Sequence, residues 1–166
     1  MNQKFNILYI DLLSPRGHLF LNKSFLNIFA SFSNKLDLSC REGYIGYNDI
    51  PKKIERIYSI PIQYYKINSK FDYRIKNVKK IKWVLKNINI DIYDLIFISS
   101  YETISFSLAW PRNIKPRVIV VDHNNLDELN DKIKCAFFKF IPKYVEHVVF
   151  EDYMRNYLLK EIKITA

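Results

Sequence analysis

The chain predicts a doubly wound α/β fold: a mostly parallel sheet of about six or seven strands with helices on both faces. Three observations predict it. Short, nearly continuous apolar runs recur at Ile7–Ile10, Leu95–Ile98 and Val118–Val121, the pattern of strands buried on both faces. Segments of helical period lie between such runs. Each run ends abruptly in polar residues, as strand-end loops do in an open parallel sheet.

In order, Lys4–Ile10 reads as the first strand. Asp11–His18 follows as a loop broken by Pro15 and Gly17, and Leu19–Phe32 as a helix. Leu36–Ile45 holds a second strand, and Ile54–Ile60 a third that Pro61 ends. Phe71–Ile88 is the clearest helix, with an apolar stripe at Ile75, Val78, Ile81, Leu85 and Ile88. Asp94–Ile98 reads as a strand, and Glu102–Trp110 as a helix capped by Ser99 or Ser100, with Glu102 at the capping-box offset from Ser99. The strand ending at Val121 runs into Asp122-His123-Asn124-Asn125, and Leu126–Phe140 carries a helical stripe stopped by Pro142. Val145–Phe150 is a further strand and Glu151–Leu159 a helix with an acidic first turn, as the helix dipole favours. Ile164–Ala166 resembles the start of another strand, so the element order reads as the front half of something larger.

A chain of 166 residues, 49% hydrophobic and 16% aromatic, suffices for one domain spanning 1–166 with a substantial core. Its two cysteines, Cys40 and Cys135, lack metal-like spacing, so a reducing, cytoplasmic setting is expected and no metal. No uncharged apolar run reaches the roughly 18 residues of a membrane-spanning helix. The net charge is +9, and Lys66–Lys86 holds eight cations against Asp72 alone. Such a block attracts anionic surfaces, and Lys76, Lys79, Lys80 and Lys86 are its candidate membrane-surface residues. Neither a Gly-x-Gly-x-x-Gly loop nor a Walker motif is present, which argues against a dinucleotide site. A receiver-like regulator lacks its expected acidic pair, because Asp11 stands alone after the first strand.

The order of these pieces resembles the N-terminal domain of GT-B fold glycosyltransferases, particularly the family-4 group that builds bacterial cell-surface polysaccharides. The matching segments are Ile7–Ile10 with Arg16-Gly17-His18, Asp94–Ser100, Val118–Asn124 and His147–Glu151. Together they span nearly the whole chain. The resemblance implies a Rossmann-like domain that receives a glycan or lipid-linked acceptor. The nucleotide-sugar is then a substrate rather than a cofactor, bound mainly by a C-terminal donor-binding domain or a separate subunit. No part of this sequence matches that donor half, so the chain alone is expected to be inactive. The resemblance assigns His123 and Asp11 as catalytic candidates, and Arg16, Gly17, His18, Ser99, Ser100, Asn124, Asn125 and Glu151 as substrate-binding candidates. Arg16-Gly17 replaces the Gly-Gly pair frequent in that loop.

The implied setting is the cytoplasm, peripheral on the inner face of the plasma membrane. Nucleic acid is set aside as the expected partner. The competing reading, a basic flavodoxin-like binding module for nucleic acid or a protein, would use the Lys66–Lys86 block with Tyr64, Tyr65, Tyr73 and Trp83. The plain alternatives for the smaller features are structural: Asp122 or Asn124 as a helix cap, His147 as a packed strand residue, and Glu151 as a dipole partner.

Overall fold

The computed structural model describes residues 4–14, 18–44, 51–122, 131–150 and 152–162. Six strands are present: β1 (Phe5–Asp11), β2 (Ser33–Arg41), β3 (Ile54–Ile60), β4 (Leu95–Ser100), β5 (Arg117–Asp122) and β6 (Val145–Val149). They form one sheet in the order β3-β2-β1-β4-β5-β6, and every neighbouring pair is parallel. The helices are α1 (Leu19–Phe32), α2 (Lys70–Asn87), α3 (Thr103–Ala109), α4 (Lys132–Phe138) and α5 (Asp152–Tyr157), the last continuing as a π turn over Leu158–Ile162. Short 3₁₀ turns lie at Ile62–Tyr65 and Ile90–Ile92. This is the Rossmann-like α/β architecture expected, with its topological switch between β1 and β4, where successive connections leave in opposite directions.

The alternation of side chains along the strands builds two cores. On one face Leu8, Ile10, Ile96, Ile98, Val118, Val120 and Val145 meet Ile81, Val84 and Ile88 of α2 and its C-terminal cap. Phe106 and Trp110 from α3 and its end, Phe138 of α4 and Leu158 complete that cluster. On the other face Ile7, Tyr9, Leu36, Leu38, Phe97 and Val121 meet Leu26 and Phe29 of α1. Each such side chain contributes about 1.5–3 kcal/mol by leaving water. The central strands therefore have to be apolar at consecutive positions, which is why they were legible as unbroken runs.

Two local expectations need correction. Ser99 and Ser100 do not cap α3, because both belong to β4. The cap is Glu102, whose carboxylate accepts from the Ile104 and Ser105 backbone N–H groups at 3.3 and 2.7 Å. The inward face of α2 is Asn77, Lys80, Ile81 and Val84, while Ile75 is 38% exposed. The helix expected over Leu126–Phe140 is described only as α4, capped by Asp131, since 123–130 lie outside the described residues. The expected start of a strand at Ile164–Ala166 lies outside them too.

Candidate functional site

In an open parallel sheet the loops at the strands' carboxyl ends are the free surface, and the switch point between β1 and β4 is where they part. Asp11, the last residue of β1, is fully buried there. One oxygen, Oδ1, accepts the Ser14 backbone N–H at 2.7 Å and the Ser100 hydroxyl; Oδ2 accepts from Asn22 Nδ2 of α1 at 2.8 Å. Asn22 is held in turn, its Oδ1 accepting the Tyr9 hydroxyl at 2.8 Å and its Nδ2 also donating to the Tyr44 hydroxyl oxygen. The loops after β1 and β4 are tied directly as well: Leu12 N–H donates to the Ser100 carbonyl and Leu13 N–H to Ser100 Oγ.

Ser14 has a left-handed backbone, φ +44°, which a residue other than glycine adopts at a cost of about 1–2 kcal/mol. Its hydrogen bonds to Asp11, and the Arg41 N–H that donates to its Oγ, hold it there and join the ends of β1 and β2. Burial pushes the Asp11 carboxyl upward, opposed by the hydrogen bonds from Ser100 and Ser14 and by the charge of His18. With both oxygens taken and no exposed surface, Asp11 is built as a strut for the loops. The carboxylate expected from sequence to act as a base is engaged here by these three donors.

Lys80 comes to the same end of the sheet from α2. Its side chain is inward, 1% exposed, donating to Asn77 Oδ1 at 3.0 Å, with its ammonium 3.8 Å from the centre of the Tyr65 ring. Burial pulls the Lys80 ammonium down to about 8, the Asp11 charge opposing. Burial and the Asp11 charge push the Tyr65 phenol up. Lys80 therefore cannot serve a membrane surface. Lys76 is also withdrawn from that role, its ammonium bound to Asp72 at 2.7 Å and to the Lys66 carbonyl. Of the four lysines named from sequence, Lys79 and Lys86 are exposed.

A second polar cluster lies under the ends of β4, β5 and β6. Asp122 closes β5 with its side chain on the α3–α4 face, where its Oδ1 accepts the Tyr101 hydroxyl and its Oδ2 lies 2.8 Å from His147 Nδ1. The parallel register sets Val120 beside His147 and Asp122 beside Val149, so the two side chains share a face and meet diagonally. Both are nearly buried, at 2% for the His147 side chain and 4% for that of Asp122, and the His147 ring packs 6.3 Å from Phe138. The far nitrogen, Nε2, is buried without a hydrogen-bond partner among the described residues. A carboxylate that orients one imidazole nitrogen fixes which lone pair the other presents. Chemically, the arrangement can accept a hydrogen bond or a proton from a hydroxyl brought to Nε2.

Among the sequence candidates, Asp11, His18, Ser99 and Ser100 are therefore on this edge, and the β1–β4 tie brings Asp11 and Ser100 together. Ser99 is buried and its hydroxyl donates to the Ile10 carbonyl. His18 precedes α1 and lies close enough for its charge to act on Asp11. Arg16, Gly17, His123, Asn124, Asn125 and Glu151 lie outside the described residues. Sequence reasoning missed Tyr101 and Asp122 as a unit with His147. The signal available was alternation, since Val145, His147 and Val149 share a face of β6, but only the register adds Asp122 to it. Among the described residues, no cluster of three or more His, Cys, Asp or Glu could hold a metal ion, and no helix is long and apolar enough to cross a membrane.

No family model matches the chain, and neither a curated protein nor a solved structure does.

Proposed function

We propose that the chain is the acceptor-side half of a glycosyltransferase, working beside a donor-binding domain or subunit on a lipid-linked or polysaccharide acceptor. The observation that supports this reading best is the Asp122–His147 pair, whose buried Nε2 has no partner among the described residues, near the strand-end edge where an α/β domain meets its ligand. Acceptor hydroxyls need a group that takes their proton or holds it during transfer, and an imidazole oriented by a carboxylate is chemically suited to that. Asp11, Ser14 and Ser100 then give the neighbouring loops a fixed shape against which a sugar can be oriented. The resemblance at Val118–Asn124 and His147–Glu151 supports the same reading.

Amide NMR of the chain, titrated with soluble glycans, a prenyl-phosphate sugar analogue and mononucleotides, tests it. Glycan-induced shifts at Ser14, Ser100–Tyr101 and Asp122–His147 are the expected result. Glycans without effect, with mononucleotides shifting those residues, would overturn it. In the assembled two-part enzyme, His147→Gln lowers transfer and alters its pH profile, and His123→Ala abolishes transfer with the fold intact. If His147→Gln leaves both rate and profile unchanged, the pair is only structural.

A further inference from the structure

The outward face of α2 carries two kinds of side chain in sequence. Phe71, Ile75, Lys79, Lys82 and Lys86 follow one another at spacings of four, four, three and four, which places them along one stripe. Its first half is apolar and in water: Phe71 is 73% exposed and Ile75 38%. The chain just before the helix adds Ile62 and Ile67, 48% and 46% exposed. Its second half is cationic. Lys79, Lys82 and Lys86, with Tyr64, Trp83 and Asn87, line an open groove of about 460 Å³ whose lining holds no acid. Asp72, the acid of this helix, is engaged by Lys76 and by the Asn68 backbone N–H.

Single exposed apolar residues are ordinary on a protein surface. Four large ones over residues 62–75, on or just before the helix that carries three lysines with no ion pair among the described residues and near two half-buried aromatic rings, give this region two chemistries. A polyanion such as single-stranded nucleic acid would use the lysines and rings but has no use for Phe71, Ile75, Ile62 and Ile67. An anionic bilayer uses all of them: acyl boundary for the aliphatic groups, headgroup phosphates for the ammoniums, and the interface between for tryptophan and tyrosine. We propose that this face of α2 docks on an anionic lipid surface, with headgroup phosphates held in the Lys79–Lys82–Lys86 groove and Phe71 and Ile75 entering the acyl boundary. The proposal is independent of sugar transfer, since it needs only a surface and not an acceptor.

Flotation of the chain with vesicles of phosphatidylcholine, alone or mixed with phosphatidylglycerol, tests it. A single-stranded oligonucleotide followed by anisotropy is the second arm. Binding is expected to the mixed vesicles and to weaken with salt, each exposed lysine contributing about five-fold near the surface. The triple variant Lys79→Gln, Lys82→Gln, Lys86→Gln then loses about a hundred-fold, and Phe71→Ser weakens binding with an unchanged thermal melt. Trp110 is already buried, so a blue shift of tryptophan emission on mixed vesicles reports Trp83. Lys80→Met, inside the fold, leaves vesicle binding unchanged. Equal binding to both vesicle types, full binding by the triple variant, or tighter binding to the oligonucleotide than to vesicles each overturns the proposal; the last makes nucleic acid the partner.

Discussion

At the end of β1 a carboxylate is fully buried and both its oxygens are taken by Ser14, Asn22 and Ser100. At the end of β5 a second buried carboxylate, Asp122, orients a histidine whose other nitrogen has no partner among the described residues. Both clusters are polar and lie at the carboxyl edge of one sheet, yet they differ in what is left over. A buried polar cluster with every site satisfied contributes geometry: it ties α1 and the loops after β1 and β4 into one shape. A cluster with one site open keeps the capacity to bind. The open site costs about 1–3 kcal/mol while nothing fills it, so its persistence needs an explanation that the closed cluster does not.

The largest expected effect lies in the closed cluster. Asp11→Ala strands three buried donors and should lower unfolding free energy by about 4 kcal/mol in urea titration. A loss below about 1 kcal/mol would break the comparison at its stronger end. Next comes Lys80, buried beside that cluster. The folded chain releases this proton at about 8 and the unfolded chain near 10.5, so the unfolded state holds more protons between those values. Stability therefore rises with pH across that window, by about 3 kcal/mol relative to a Lys80→Met variant. Urea titrations of both proteins at several pH values measure the difference, and parallel profiles would mean that Lys80 reaches water.

A smaller loss is expected at the open cluster. Asp122→Ala leaves the Tyr101 hydroxyl and His147 Nδ1 without their acceptor and should cost about 2 kcal/mol, half the effect of Asp11→Ala. Smallest is the paired replacement Asp122→Leu with His147→Phe. With Tyr101→Phe added so that no hydroxyl loses its acceptor, it removes every partner in the cluster and, with one unmet nitrogen gone as well, should change unfolding free energy by no more than about 1 kcal/mol. A loss as large as that of Asp11→Ala would show the pair to be a structural strut like its neighbour.

The contrast also marks how far the chain could be read before it was folded. β1, β4 and β5 were plain in the sequence because a parallel strand covered on both faces must be apolar at consecutive positions. β2 was harder: Asp37 and Ser39 interrupt it, yet both are buried, and Asp37 takes the Tyr93 hydroxyl. α2 was legible as a helix but not in its facing. Its period fitted a stripe through Ile75, whereas the fold turns Asn77 and Lys80 inward because Tyr65 and the Asn77 amide give the ammonium a lining. Composition alone assigns a lysine to water and an isoleucine to the core, and here both assignments fail.

What the sequence determined by itself was the alternation of strand and helix, the α/β class, and the polar character of each strand end, since these follow from local apolar pattern and turn chemistry. The strand order, the meeting of Asp122 with His147, the closing of Asp11 by residues 3 to 89 positions away, and the burial of Lys80 were decided only by tertiary structure. Each depends on which strands become neighbours and in what register. Contacts between residues far apart in the chain leave no periodic trace in either segment.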